Sequence, residues 1–573
     1  MIALMSKPQA RSRRLLLHYP TDGQFRPDDI ALAAWAFVGH EADFPIYSRL
    51  DSVPGIESVE EQRIESERWE PVFWSMLEDE AHFLHQHHQG RRSLDYWRYL
   101  AAPHVMMLSS MVRARWICVE RALHRFAEDS LTTDLLTGPW RGPITGPGEL
   151  MSLFMWSEEF GHWLSSRILR LLAPANVTVS AERPAEPCTP PTREALDSAA
   201  GGSLARQLYD RFVLPVANIT GPSRLERLAI AAWMWLKPNP RTSRRLPPPQ
   251  AGQLPPAPPY PAALTTLLSE LMTELRPSFV LEPLPAQGPR RKGKLRLSYA
   301  DYSDHAARRK HAEWREAGGR IAFAQHGSDY GLSVPLARTP QMEYREDAFL
   351  TWGWTRHGDY QGRFLPMPMP KLRALHDRHH GGDDRIVMVS TTINPGMECF
   401  LGWPGSVLGY VSGKTEILRG LLANGKKVRY RPFLYEKHTM AIEQHILTAN
   451  PQAEILQGSM WEGIQSSRLL VLDHYSTPFH EALVSNTPTV LFWSPLSPGV
   501  SPDNRHFFQR FRELGVIHDT PDSLVRQVEE IWPDVEGWWR RPELQALRQE
   551  FIRQHARTSR WWLVHWLGKL WNL

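Results

Sequence analysis

Four short segments concentrate the residue types that hold phosphate and move protons. The sharpest is Asp473-His474-Tyr475-Ser476-Thr477-Pro478-Phe479-His480-Glu481, where an apolar run ends in two hydroxyl residues and a proline-led helical turn carrying a carboxylate. Exposed backbone N–H groups at such a turn favour phosphate, and a first-turn glutamate can accept hydrogen bonds from ribose hydroxyls. The same residues also suit an ordinary hydroxyl cap with a dipole-friendly glutamate, and spacing alone leaves both readings open. The second segment, Gln325-His326-Gly327-Ser328-Asp329-Tyr330-Gly331, sets an imidazole between an amide and two glycines, so backbone can approach a ligand beside a proton-accepting ring. In the third, Thr391-Thr392-Ile393-Asn394-Pro395-Gly396, the hydroxyls of Thr391 and Thr392 suit a phosphate, without the spacing of a Walker loop or a Gly-x-Gly-x-x-Gly turn. The fourth, Arg429-Tyr430-Arg431-Pro432-Phe433, offers an arginine that can clamp phosphate bidentately or stay solvated at a strand end.

These segments gain meaning from the elements before them. Each follows or ends a strand-like apolar run: Arg320 to Ala324, Arg385 to Ser390, Lys427 to Leu434 and Leu469 to Asp473. Between the runs lie helical patterns at Lys414 to Ala423, Thr439 to Thr448, Phe479 to Val484 and Pro521 to Trp532. Strands alternating with helices predict βαβ units and a parallel sheet, whose ligands collect outside the carboxyl ends of the strands. Residues 383–540 therefore read as a complete Rossmann-like domain. Residues 1–382 carry long helical patterns, such as Glu60 to Gln86 and Leu94 to Phe126, with strands expected near residues 15, 278, 296 and 322. Those strands suffice for a second parallel sheet with helical insertions. The predicted fold is α/β, with two Rossmann-like domains facing a cleft and residues 541–573 forming arginine- and tryptophan-rich helices that fold back on the first.

Composition sets the outer bounds. A chain of 573 residues is too long for one core, and 42% hydrophobic with 22% charged residues excludes wholesale disorder or a rod. Sixty-six lysines and arginines against 62 acidic residues give a balance too even to point to nucleic acid. Cys118, Cys188 and Cys399 are scattered and odd in number, which argues against a disulfide framework or a zinc site. No stretch reaches the roughly 20 apolar residues of a spanning helix, and a cytoplasmic protein is expected. The 48 prolines crowd into breaks, above all residues 238–261, which read as an exposed loop. The 23 tryptophans fall heavily in the helical half, as packing residues.

The motif set resembles a known family. Gln325-His326-Gly327 with Tyr330-Gly331, Leu350-Thr351-Trp352-Gly353-Trp354, Asp473 to Thr477 through Glu481-Ala482-Leu483, and Thr487 to Trp493 look like bacterial transferases of surface-polysaccharide and nonulosonate loci, which have a GT-B glycosyltransferase fold. The resemblance covers about residues 294 to 500, while His18-Tyr19-Pro20-Thr21 departs from that family's acidic, tryptophan-containing opening. A looser similarity is to CMP-sugar-dependent transferases of Kdo or sialic acid. It implies an acceptor domain over 1–382 and a nucleotide-sugar donor domain over 383–540. By that analogy Ser476 and Thr477 hold phosphate, Glu481 the nucleoside and Arg431 the phosphate charge. Gln325, Gly327, Thr391 and Thr392 are further donor contacts, and His326 faces the anomeric centre. The catalytic carboxylate would be Asp304, with Asp301 as rival, acting as base or nucleophile, although both also fit as caps of the next helix. The expected partners are a nucleotide-sugar donor and a glycan or lipid-linked glycan acceptor, without metal or cofactor, and with a peripheral bilayer contact through the C-terminal helix. A nucleotide-sugar epimerase and a nucleotide-sugar-binding scaffold protein are the alternatives.

Overall fold

The computed structural model describes residues 11–186, 222–236, 243–249, 258–284, 294–298, 305–334, 342–381, 383–391, 407–433 and 437–573, apart from 38, 54, 495–496 and 498. Strands β1 (Ser12–Leu16), β2 (Ile30–Ala31), β3 (Asp51–Ser52), β4 (Ser130–Thr137) and β5 (Val177–Pro184) form a first sheet in the order β3-β2-β1-β4-β5. Every pair in it is parallel. Strands β6 (Leu295–Ser298), β7 (Arg320–Ala324), β8 (Ser333–Val334), β9 (Ala348–Thr351) and β10 (Phe364–Pro366) follow, and β10-β9-β7-β6 make a second parallel sheet. The third runs β13 (Glu454–Ile455), β12 (Val428–Arg431), β11 (Asp383–Val389), β14 (Ser467–Leu472), β15 (Thr489–Phe492), β17 (Ile517–His518), again all parallel. Its central strand β14 is apolar along its inner length and buried on both faces, as a strand covered by helices on each side must be.

The first and third sheets share one topology. Each steps outward from its first strand and then reverses to the other side, the Rossmann order, which opens a crevice between β1 and β4 and between β11 and β14. The molecule is thus α/β with two Rossmann-like units, as the alternation of elements predicts.

One expectation needs correcting. The segments near 15, 296 and 322 do not share a sheet, and the one near 278 is a 3-10 turn, Ser278–Val280. The cause is the helix Leu94–Arg125, buried along most of its length, which packs on both the helix Glu158–Leu172 of the first sheet and the helix His305–Glu316 of the second. Its side chains share one core with residues of both sheets. The proline-rich stretch also departs from a free loop where it is described. Residues 243–249 have no regular structure, but Leu246 N–H donates to Arg345 O at 2.8 Å, Ser243 Oγ to Asp347 Oδ1 at 2.7 Å, and Arg245 pairs with Asp95.

The units are tied together across a seam. Ala31, Ala34, Ala36, Phe37, Phe44 and Tyr47 of the first unit join the core of the third sheet, with Leu332 and Trp352 from the second-sheet region. The helix Trp562–Trp571 closes the molecule by packing Trp562, Trp566 and Leu570 against Leu297, Ala322, Ala324 and Leu350 of the second sheet.

Candidate functional site

The loop after β7 is built before it is reactive. Gln325 is almost completely buried and every one of its polar atoms is used. Its Oε1 accepts from the Trp352 backbone N–H and from Trp354 Nε1, both at 2.8 Å, its carbonyl accepts from Trp352 Nε1 at 3.0 Å, and its Nε2 donates to Gly327 O at 2.8 Å. Gln325 is therefore a fastening that locks the loop to the Trp352-Gly353-Trp354 turn. The far end of the loop is fastened too. Asn504 Nδ2 donates to Gly331 O at 2.7 Å, Ser501 N–H donates to Leu332 O, and β8 pairs antiparallel with β16 (Gly499–Val500).

Between these anchors stands an exposed His326. Its Nδ1 lies 3.0 Å from the Tyr330 hydroxyl, which in turn lies 3.1 Å from Oε1 of the buried Glu343. A phenol has one proton, and the carboxylate can only accept it, so the Tyr330 oxygen accepts from His326 Nδ1–H. The tautomer assigned by this chain leaves Nε2 as the proton-accepting atom of the ring. Three residues on, Asp329 is half-buried, and loss of water pushes its carboxyl up to about 6 against the opposing influence of His474 and hydrogen bonds from Ser333 and Ser328. The one signal for Asp329 in the sequence is its place after a strand end, within the histidine motif.

Opposite this loop is the crevice of the third sheet. Thr391 follows β11, Arg431 ends β12, and Asp473 to Ser476 connect β14 to the helix Thr477–Ser485. Ser476 is the N-cap in extended backbone, its hydroxyl not spent on capping, and Pro478 occupies the first turn. Asp473 is fully buried and holds His474 through Oδ1···Nδ1 at 2.7 Å. Beneath lies a buried knot: Lys414 Nζ donates to Glu443 Oε1 at 2.6 Å and to Ser390 Oγ at 2.8 Å, and Tyr430 donates to Glu443 Oε2 at 2.6 Å. Tyr410 accepts from the Thr391 backbone N–H at 3.3 Å, and burial with the nearby Asp473 carboxylate holds its phenol well above the usual range. This knot braces the ends of β11 and β12, and Lys414, an ordinary helical residue by pattern, gave no sign of it. Arg431 is half-buried and spends one N–H on Leu456 O at 3.2 Å.

The two loops meet. A Cβ placed on Gly327 would lie 3.8 Å from Thr477 Oγ1, so backbone after β7 and the helix start after β14 are neighbours across the seam. Of the expected site residues, His326, Gly327, Ser476 and Thr477 belong to this junction, while Thr391 and Arg431 stand at neighbouring strand ends of the third sheet. Glu481 is buried, and its Oε1 pairs with Lys371 Nζ at 2.7 Å. Asp301, Asp304 and Thr392 lie outside the described residues. Among the described residues no group of three or more His, Cys, Asp or Glu side chains is arranged to hold a metal ion, and no helix is long and apolar enough to cross a membrane.

A family model spans nearly the whole chain, matching residues 29–244 and 256–570. The chain belongs to the LIC12162 family of transferases. No curated protein matches it. Among solved structures, this LIC12162 family member is similar to MurG of Acinetobacter baumannii, with 9% identity over 48% of this chain and 73% of that one and a TM-score of 0.28. A mutant O-GlcNAc transferase of Thermobaculum terrenum shares 14% identity over 88% and 98% of the two chains, with a TM-score of 0.30. Medicago truncatula UGT71G1, solved with UDP-glucose, shares 10% identity over 80% and 95%, with a TM-score of 0.22.

Proposed function

We propose that this transferase is a metal-independent glycosyltransferase that moves a sugar from a nucleotide-activated donor, of the CMP-ulosonate class, to a surface glycan or its lipid-linked precursor. The observation that carries the reading is the junction at Gly327 and Thr477, where a histidine loop and a hydroxyl-lined helix start share one crevice. The donor phosphate sits on the amides of the helix Thr477–Ser485 with the hydroxyls of Ser476 and Thr477, and Arg431 adds positive charge. These groups stabilise the departing nucleotide as the anomeric C–O bond breaks. His326, its Nδ1 proton held by Tyr330, offers Nε2 beside the anomeric centre. Asp304 or Asp301 would supply the catalytic carboxylate, and the partly desolvated Asp329 is a third candidate of the same chemistry. The exposed Trp561, Val564 and Trp571, with Arg560 and Lys569, support a contact with an anionic cytoplasmic bilayer surface, where a lipid-linked acceptor would be presented.

The test is incubation with CMP-, UDP-, GDP- and dTDP-sugars, reading thermal shift and nucleotide release. A shift with one donor and release that depends on added glycan is expected. No shift with any donor removes the donor site, release without glycan makes the protein an epimerase or hydrolase, and binding without turnover makes it a scaffold.

A further inference from the structure

Two helices packed with the second sheet are apolar on a side that no described residue covers. The helix Arg224–Leu236 carries charge only in its first turn, and from Leu228 to Leu236 the sequence has no charged, hydroxyl or amide side chain. Ile230, Ala231 and Met234 account for one side of it and are buried in the core of the second sheet. The opposite side repeats at i, i+3, i+4, i+7 and i+11 as Leu225, Leu228, Ala229, Ala232 and Leu236, and all five are exposed. A surface helix that faces water on its second side carries polar residues there.

The helix Trp562–Trp571 is its neighbour. Trp233 Nε1 donates to Leu567 O at 2.9 Å, and the Trp233 ring lies 4.9 Å from that of Trp571. Fourteen large hydrophobic side chains are exposed among the described residues, and six of them stand on or beside these two helices. They include the four most exposed, Leu225 at 78%, Leu236 at 76%, Val564 at 63% and Trp561 at 59%, with Leu228 and Trp571 completing the set. Single exposed apolar residues are ordinary, whereas a grouped set marks a surface that meets something apolar. The backing is firm: Trp566 Nε1 donates to Pro368 O at 2.8 Å, and Arg557 N–H donates to Trp352 O at 2.7 Å. Trp352 is also the residue to which Gln325 ties the His326 loop, so surface and loop belong to one frame.

Charge and length choose the partner. Glu226 is the one carboxylate on either helix, and its Oε2 accepts from Ser223 N–H at 2.7 Å. Arg224 and Arg227 stand in the first turn of one helix, Arg560 and Lys569 flank the other, and the sequence has no acidic residue after Glu550. Two copies pressed face to face would set these cations against one another, while anionic headgroups neutralise them. At 13 and 10 residues the helices are too short to span a bilayer and long enough to lie in its surface. We propose that the helices Arg224–Leu236 and Trp562–Trp571 form one surface that lies in the plane of an anionic bilayer, with Leu225, Leu228 and Leu236 inserted beside Trp561, Val564 and Trp571. This rests on the bilayer contact read from the C-terminal helix and makes residues 224–236 its second half. Because Ala322 and Ala324 of β7 back the surface, the bilayer plane is fixed relative to the loop that carries His326.

Co-sedimentation of the full chain with vesicles of phosphatidylglycerol and phosphatidylcholine tests this. The wild type should pellet with them and stay in solution with phosphatidylcholine alone. The combined variant Leu225→Gln, Leu228→Gln and Leu236→Gln should lose about tenfold or more in partition, with Tm unchanged because all three side chains are exposed. Trp561→Gln with Val564→Gln should lose a similar amount, and Arg224→Gln or Arg560→Gln about fivefold each. Partition of the leucine variant within about twofold of wild type, while the Trp561 and Val564 variant loses binding, overturns the paired surface and leaves the C-terminal contact standing. A wild type that pellets with neither vesicle removes both. Equal pelleting with phosphatidylcholine alone overturns the anionic partner. A wild-type dimer in sedimentation velocity that the leucine variant dissociates, without vesicle binding, gives the face to a second copy and overturns the bilayer. Nucleotide release with the sugar donors is read without vesicles and decides the transfer reading separately.

Discussion

At the scale of single residues, the site separates groups that touch ligand from groups that hold others in place. His326 is exposed and its tautomer is set by Tyr330, so His326→Ala should reduce turnover by at least about 100-fold while leaving nucleotide affinity close to wild type. Arg431→Ala should do the reverse and weaken nucleotide binding, and the two variants are compared by isothermal titration and initial rates. Asp329 yields a pH prediction. Its carboxyl lies at about 6, so a step that needs the carboxylate gains rate as pH rises through that value. The rate profile of the wild type should show that limb near pH 6, and Asp329→Asn should remove it. Gln325 and Glu481 have partners that spacing does not reveal, for one reason: a buried polar side chain is claimed by whatever donors and acceptors packing brings to it. For Gln325 these are two tryptophans more than 25 residues away, and for Glu481 a lysine more than 100 residues away.

At the scale of elements, two fastenings set the geometry of the crevice. Gln325 joins β7 to the turn after β9, and Gln325→Ala would leave the Trp352 N–H and Trp354 Nε1 without partners in a buried setting. A loss of about 1–3 kcal/mol per orphaned donor is expected by urea unfolding, with a parallel loss of turnover as His326 becomes less fixed. Under the third sheet, Lys414 and Glu443 form a wholly buried ion pair. Lys414→Met should cost about 3–5 kcal/mol because it strands the Glu443 charge, and adding Glu443→Gln should recover a good part of it, since both charges are then gone. Chemical denaturation of the single and double variants checks this. The strands themselves were legible: β7, β11, β12 and β14 all fall on the apolar runs singled out from sequence, because burial of one or both faces leaves a local record in apolar residues. The ion pair left none, since one lysine and one glutamate on amphipathic helices look like any solvated pair until packing closes over them.

At the scale of the whole molecule, the buried histidines couple the fold to pH. Burial lowers His104, His162 and His480 to about 3 and His357 to about 4. In the unfolded chain each takes a proton near 6.5, so below that pH the unfolded state binds more protons and stability falls as pH falls, by about 1.4 kcal/mol per unit for each histidine until its folded value is reached. The Tm should therefore be lower at pH 5 than at pH 7.5, and His480→Phe should flatten the dependence, as read by calorimetry. The chain's sequence by itself determined the α/β alternation, the four inner strands of the third sheet, and which loops leave the carboxyl ends of those strands, because apolar periodicity and turn residues act over a few positions. Only the tertiary structure decided that the first half holds two sheets parted by one buried helix, that the loops at Gly327 and Thr477 meet, and that Glu158 faces two histidines 140 and 118 positions away. Those outcomes depend on which distant surfaces exclude water together, and nothing local to a strand or helix records its partner.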